Sequence, residues 1–222
     1  MVAIHKDGPI WTLDIGKTEN RISPQWLSEI ESALDEVEST DEPIALVTTG
    51  QGKFFSNGLD LDWLKQNSDQ HDAYIGRMQV LLARVLVLPV PTVAAINGHA
   101  FGGGAMLALA HDFRVMRENR GFVCFPEVDI SIPFTAGMNA LITAKLSPRS
   151  ALTAMTTGHR YTAPEAVAAG LVEESGEQDA LRQIATGMVA KLAEKDRATL
   201  GAIKSRIFAG VVDALRGLDA DE

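Results

Sequence analysis

The stretch TVAAINGHAFGGGAMLALAHD, residues 92–112, constrains the fold more than any other part of the chain. Thr92 to Ile96 is a short apolar run bounded by Pro91 and the Asn97–Gly98 pair, which reads as a buried strand. Three consecutive glycines, Gly102 to Gly104, then open an apolar helical segment. A buried strand needs packed layers around it. The turn from strand to helix is where open α/β sheets bring backbone close to a ligand.

The same alternation recurs on both sides of this stretch. VAIHKDGPIWTLDI reads as two strands around Asp7–Gly8. SPQWLSEIESALDEVE reads as a helix, with Ser23 as N-cap, Pro24 at the first helical position and Trp26, Ile30, Leu34 and Val37 on one face. PIALVTTG is a buried strand, and KFFSNGLDLDWL is a strand running into a glycine loop. Residues 72–88 form an apolar helix stopped by Pro89 and Pro91, and DFRVMREN and GFVCFPEVDI are strand-like. This rhythm implies parallel strands joined by right-handed crossovers in a layered α/β fold.

Beyond residue 147 the pattern is helical. YTAPEAVAAG carries a capping box, Thr162 with Glu165, and a stop at Gly170. Residues 179–194 and 196–217 read as two amphipathic helices. Leu200, Ile203, Ile207, Val211 and Leu215 mark an apolar stripe on the second, which must meet the core or another subunit. The expected division is a core over 1–175 and a C-terminal helical region over 176–222.

Composition narrows the classes. Hydrophobic residues at 46% and charged residues at 22% are ordinary for a globular domain. A net charge of −9 argues against a nucleic-acid partner, although a local cation cluster still suits a small anion. Cys124 is the one cysteine, so there is no intrachain disulfide and no multi-cysteine metal site, and His5, His71 and His159 lack metal-ligand spacing. VLLARVLVLPVP is interrupted by Arg84 and prolines and is too short to span a membrane. MVAIHKDGPIWTLDIG is not a signal sequence, and Ala220–Asp221–Glu222 is no organelle address, so a cytoplasmic protein is expected.

The triple glycine is not a phosphate loop of the GKS or GKT type, and Leu107 stands where GxGxxG needs its third glycine. Such a cluster serves either close packing of helix on strand or a ligand. A second glycine turn in FFSNGLDL favours the ligand. Two turns with free N–H groups are the parts of an oxyanion hole, where losing one donor lowers the rate roughly 10²–10³-fold.

Taken together, FFSNGLDL, PTVAAINGHAFGGGAMLALAHDFRVM, FPEVDI and SALTAMTTGHRYTAPEAVAAGLVEE resemble the crotonase, or enoyl-CoA hydratase/isomerase, superfamily, from about Asn20 to Glu174. The resemblance implies a ββα spiral core with C-terminal helices that build a homotrimer or a dimer of trimers. It implies an acyl-CoA thioester as substrate and no separate cofactor, because CoA arrives as part of the substrate. It makes the Leu59 and Gly103 N–H groups the oxyanion donors. Lys53, Phe55, Ser56, Asn57, Gly58, Asp60 and Leu61 of the first loop, with His99, Gly102 and Met106, would meet the substrate. Lys53, Lys204 and Arg206 are candidate partners of the CoA phosphates, although for any one of them a solvated surface charge is the commoner role.

Hydratases of the superfamily hold water between two glutamates. Glu127 matches one of these positions, and Met106 stands at the other. A thioether neither takes a proton nor orients water as a carboxylate does. The apolar stretch SIPFTAGMNALITAKL after Glu127 also resembles the Δ3,Δ2-enoyl-CoA isomerase branch rather than the hydratases. That branch shifts a 3-enoyl double bond to the 2-position, and Glu127 would serve as its general acid and base. Phe125, Val128 and Ile130 flank Glu127, so its pKa is expected to rise. The alternatives are another acyl-CoA reaction on this fold (hydration, hydrolysis or decarboxylation) or a non-catalytic acyl-CoA-binding subunit. Met106, Phe134 and Met138 offer the former few polar groups.

Overall fold

The computed structural model describes residues 1–217, so residues 218–222 of the expected 176–222 region, with the Ala220–Glu222 end, lie outside the described part. Strands β1 (Ala3–Asp7) and β2 (Ile10–Asp14) pair antiparallel across a tight turn in which Gly8 takes φ +55°. Helix α1 (Pro24–Ser39) starts at Ser23, whose hydroxyl accepts from the Trp26 N–H at 3.2 Å. Its buried side carries Trp26, Ile30, Leu34 and Val37, the residues spaced for one face.

Three structural turns follow, each built alike. The first places β3 (Ala45–Thr49), then β4 (Phe54–Ser56), then helices α2 (Leu61–Gln66) and α3 (His71–Leu86). The second places β5 (Thr92–Ile96), β6 (His99–Phe101) and α4 (Gly103–Ala110). The third places β7 (Phe113–Arg117), β8 (Val123–Cys124), then α5 (Ala136–Lys145), α6 (Pro148–Thr157) and α7 (Ala163–Ala168). Strand β9 (Glu174–Gly176) closes the larger sheet, and α8 (Gln178–Val189), α9 (Arg197–Ile207) and α10 (Ala209–Arg216) complete the chain. One sheet runs β1-β2-β3-β5-β7-β9 and the other β4-β6-β8. Each repeat thus sends one strand to the large sheet, the next to the small sheet and a helix between them. This is the ββα spiral of the crotonase fold.

Packing explains the composition of the elements. All eight residues of α4 are buried, so it is built from glycine, alanine, leucine and methionine with no polar side. Helix α8 covers one face of the large sheet. There Leu181, Ala185 and Val189 meet Ala45, Val47, Val93 and Ala95, which point to one side by the two-residue period of a strand. Among the described residues, no helix is long and apolar enough to cross a membrane.

Three expectations change. The continuous helix over 196–217 is broken at Phe208, and its apolar stripe divides accordingly. Val212 and Leu215 of α10 are buried against the core, while Ile203 and Ile207 of α9 are 49% and 66% exposed. The inner side of α9 carries Lys204 instead. Its Nζ donates to Leu88 O at 3.0 Å, Val90 O at 2.8 Å and Asp112 Oδ2 at 2.6 Å. Lys204 is therefore a structural cation and not a phosphate ligand. In GFVCFPEVDI, only Val123–Cys124 joins a sheet. Pro126 has no N–H to continue a ladder, and its carbonyl instead accepts from Asp129 and Ile130, turning the chain at Glu127.

Candidate active site

The loop after β4 is fixed by two buried amides. Asn20, itself in the left-handed region at φ +48°, donates to Gly16 O at 3.0 Å and Phe55 O at 2.9 Å. The Ser56 hydroxyl donates to Asn20 O at 2.7 Å. From the other side, Asn97 donates to Phe54 O at 3.2 Å and accepts from Gly50 N at 3.0 Å. Beyond the strand, Ile22 N donates to Gly58 O at 2.8 Å. The Tyr74 hydroxyl accepts from Asp60 N at 2.9 Å and donates to Ile22 O. The peptide at Leu59 is thus held on both sides while its own N–H donates to no protein acceptor among the described residues.

The triple glycine faces this loop. Gly103 opens α4, and its N–H likewise donates to no protein acceptor among the described residues. The two turns touch. A Cβ on Gly58, which takes φ +78°, would lie 2.7 Å from Phe101 O and 3.2 Å from Gly103 N. Only glycine fits there. Gly104 serves packing instead, since a Cβ there would run into the Ser56 backbone where helix and strand approach closely.

A cavity of about 1140 Å³ opens in front of the two turns. Asn57, Gly58, Leu59, Leu61, Gly102, Gly103, Met106 and Glu127 all line it, with Ile75, Met78, Gln79, Phe134 and Met138 among the remaining walls. Glu127 is 7% exposed, and its Oε2 is buried without a hydrogen-bond partner. Its Oε1 would lie 3.2 Å from a Cβ at position 102, and Gly102 takes φ +51°, so glycine at 102 both makes the turn and leaves room for the carboxylate. Burial pushes the Glu127 carboxyl up to about 7, against a smaller lowering by its own backbone N–H. The other carboxylates on the cavity, Asp62 and Asp72, have side chains 66% and 89% exposed. Met106 is 1% exposed on the cavity wall.

The remaining candidates lie elsewhere. Phe55 and Ser56 are fully buried behind the loop. Asp60 caps α2, accepting from Trp63 N at 3.2 Å, and its carboxylate lies 3.4 Å from Arg21. His99 stands among Phe54, Phe101 and Phe122 at ring separations of 5.3, 5.0 and 5.5 Å. Burial, with Lys53, Arg120 and Arg160 nearby, lowers its pKa. Lys53 sits over the Phe54 ring at 5.3 Å, and Arg206 is exposed on α9. Of the candidates, Lys53, Phe55, Ser56, Asp60, His99 and Arg206 do not line the cavity. Sequence reasoning missed Tyr74, Gln79 and the loop-holding role of Asn20 and Asn97. Buried amides and a phenol inside apolar elements were the available signal.

A family profile for enoyl-CoA hydratase/isomerase matches residues 10–220. The chain belongs to that family. Enoyl-CoA delta isomerase 3 of Arabidopsis thaliana is 38% identical over 190 residues, 81% of this chain and 79% of its own. Carnitinyl-CoA dehydratase of Salmonella typhi is 33% identical over 204 residues, 90% of this chain and 77% of its own. The crystal structure of human mitochondrial delta3-delta2-enoyl-CoA isomerase matches with a TM-score of 0.88 at 21% identity, over 96% of this chain and 85% of that one, which is a likeness of fold. Family membership makes this an enzyme family of acyl-CoA chemistry. The choice of reaction rests on the cavity.

Proposed function

We propose that this family member is a Δ3,Δ2-enoyl-CoA isomerase in which one glutamate moves the proton. The observation that carries the reading is Glu127: the one buried carboxylate among the described residues of the cavity, unpartnered at Oε2, with Met106 in place of a second acid. A 3-enoyl thioester whose carbonyl oxygen accepts from the Leu59 and Gly103 N–H groups presents its C2 protons to Glu127. The carboxylate takes one proton, and the electron pair spreads through the thioester carbonyl and the double bond as a dienolate. Two N–H donors, Leu59 in the loop after β4 and Gly103 at the start of α4, stabilise the oxygen where that charge collects.

The neutral acid then returns the proton at C4, leaving the double bond between C2 and C3. A carboxyl poised at about 7 suits both halves, because neither proton acceptance nor donation is strongly uphill near neutral pH. The apolar wall of Ile75, Met78, Met106 and Met138 disfavours water at the dienolate. The test uses native protein and Glu127→Gln with a 3-enoyl-CoA, following the absorbance of the conjugated thioester, and 2-enoyl-CoA hydration as control. Rapid conjugation that is lost in the variant, with little hydration, is expected. Hydration as fast as conjugation, or conjugation that survives Glu127→Gln, overturns the proposal.

A further inference from the structure

One polar side chain on the apolar wall has no part in the proton shuttle. Gln79 of α3 lines the cavity yet is 2% exposed. The Thr135 hydroxyl donates to Gln79 Oε1 at 2.7 Å. That same hydroxyl accepts from Met138 N at 3.1 Å and gives its own proton to the amide oxygen, so the Gln79 NH₂ is turned away from Thr135. The Gln79 NH₂ donates to no acceptor among the described residues. The fold makes space for this amide. A Cβ at Gly137 would strike Gln79 Oε1 and would lie 2.8 Å from both Ala214 O and Leu215 Cα.

The position is informative too. Met78 lies against Gly103, where a Cβ would come within 2.9 Å of the Met78 Cε. Gln79, the next residue, faces Gly137 of α5 beside Ala214 and Leu215 of α10, about two helical turns along α3 from the cavity-lining His71 and Asp72. Around it the wall is Ile75, Met78, Phe134 and Met138. A plain alkyl tail reaching this end would strip water from the amide and return no hydrogen bond. A carboxylate would be desolvated with only a neutral donor beside it.

We infer that Gln79 is a specificity-determining residue that accepts acyl chains carrying a neutral oxygen, hydroxyl or keto, on their distal half. The inference rests on the acyl-CoA reading of the cavity, but not on the isomerase step. Its test is therefore equilibrium binding. A saturated straight-chain acyl-CoA is titrated calorimetrically into the native protein, beside isomers with one hydroxyl moved carbon by carbon along the outer half of the chain. At one hydroxyl position, binding at least tenfold tighter than the unsubstituted chain is expected, the worth of one buried hydrogen bond.

Gln79→Met, close in volume and without the donors, abolishes that preference and strengthens binding of the unsubstituted chain. Thr135→Val keeps the amide, releases its orientation and reduces the preference. A purely structural tie between α3 and α5 would lower stability in both variants and leave the ratio of the two affinities unmoved. Equal affinity for all chains in the native protein overturns the inference and leaves the proposed isomerase intact. Failure to bind any acyl-CoA overturns both.

Discussion

Replacing Glu127 should make the protein more stable as it makes it inactive, and the gain should depend on pH. The carboxyl stands at about 7 in the fold against an ordinary 4.5, because burial penalises its charged form. A group whose folded pKa is raised contributes most below its unfolded value, and that contribution disappears as pH climbs through the folded value. Above pH 7 the native protein therefore holds a buried, unpartnered anion. The distance from 4.5 to about 7 corresponds to a penalty of about 3 kcal/mol at full ionisation. At pH 5 most of it is absent. Glu127→Gln has no charge to bury, so its stability relative to native should improve by about 2 kcal/mol between pH 5 and pH 8. Urea unfolding of both proteins at the two pH values, at one protein concentration, reads the difference directly. A stability difference that is the same at both values would refute the claim that Glu127 is buried as a strained carboxylate, and with it the argument for a two-way proton carrier.

Other expectations follow from the same geometry. The kcat/KM for conjugation of a 3-enoyl-CoA should rise with pH and level off near 7, where Glu127 becomes the base; a pH–rate profile flat from 5 to 9 contradicts that assignment. Gly58→Ala should lower kcat by roughly 10²-fold or more, because its φ of +78° and the nearby Phe101 carbonyl force the Leu59 N–H to move. Unaltered turnover would show that this turn holds no oxyanion donor. Lys204→Met should destabilise the chain by about 3–5 kcal/mol, leaving Leu88 O, Val90 O and part of Asp112 without their cation. Chemical unfolding of that variant within about 1 kcal/mol of native would show that the pair contributes little.

The layered α/β pattern was legible because its helix ends rest on local signals, while the spiral itself came from the family resemblance. Ser23 with Pro24, Pro89 with Pro91, and Thr162 with Glu165 each mark a helix end within a few residues. The two glycine turns were legible for a related reason, because close backbone approach needs glycine, whereas Glu127 was picked out by the resemblance of FPEVDI to the family. What stayed hidden depends on contacts distant in sequence. Nothing local distinguishes Lys204, which pairs with Asp112 92 positions away, from the solvated lysines of an ordinary helix. The break at Phe208 has the same origin, since α10 turns to meet α5 and α3 while α9 follows Lys204 inward. Tyr74 is likewise ordinary in its own helix and acquires a role only because Ile22 lies 52 positions earlier.

These hidden residues also explain how a cavity with so many unsatisfied groups persists. The Leu59 and Gly103 N–H groups, the Glu127 Oε2 and the Gln79 NH₂ each lack a protein partner among the described residues, and each such group costs about 1–3 kcal/mol if shut away from water. Left free, the backbone would relax to satisfy them. It is prevented by groups that are hydrogen-bonded just behind the surface: Asn20 and Asn97 on the first loop, Tyr74 on the Leu59 peptide, Thr135 on the Gln79 amide. Chemistry at the front of the cavity therefore depends on hydrogen bonds at its back. Substitutions in that supporting layer should lower activity without touching a substrate atom, which is why Tyr74 and Asn20 belong to the site as much as the glycines do.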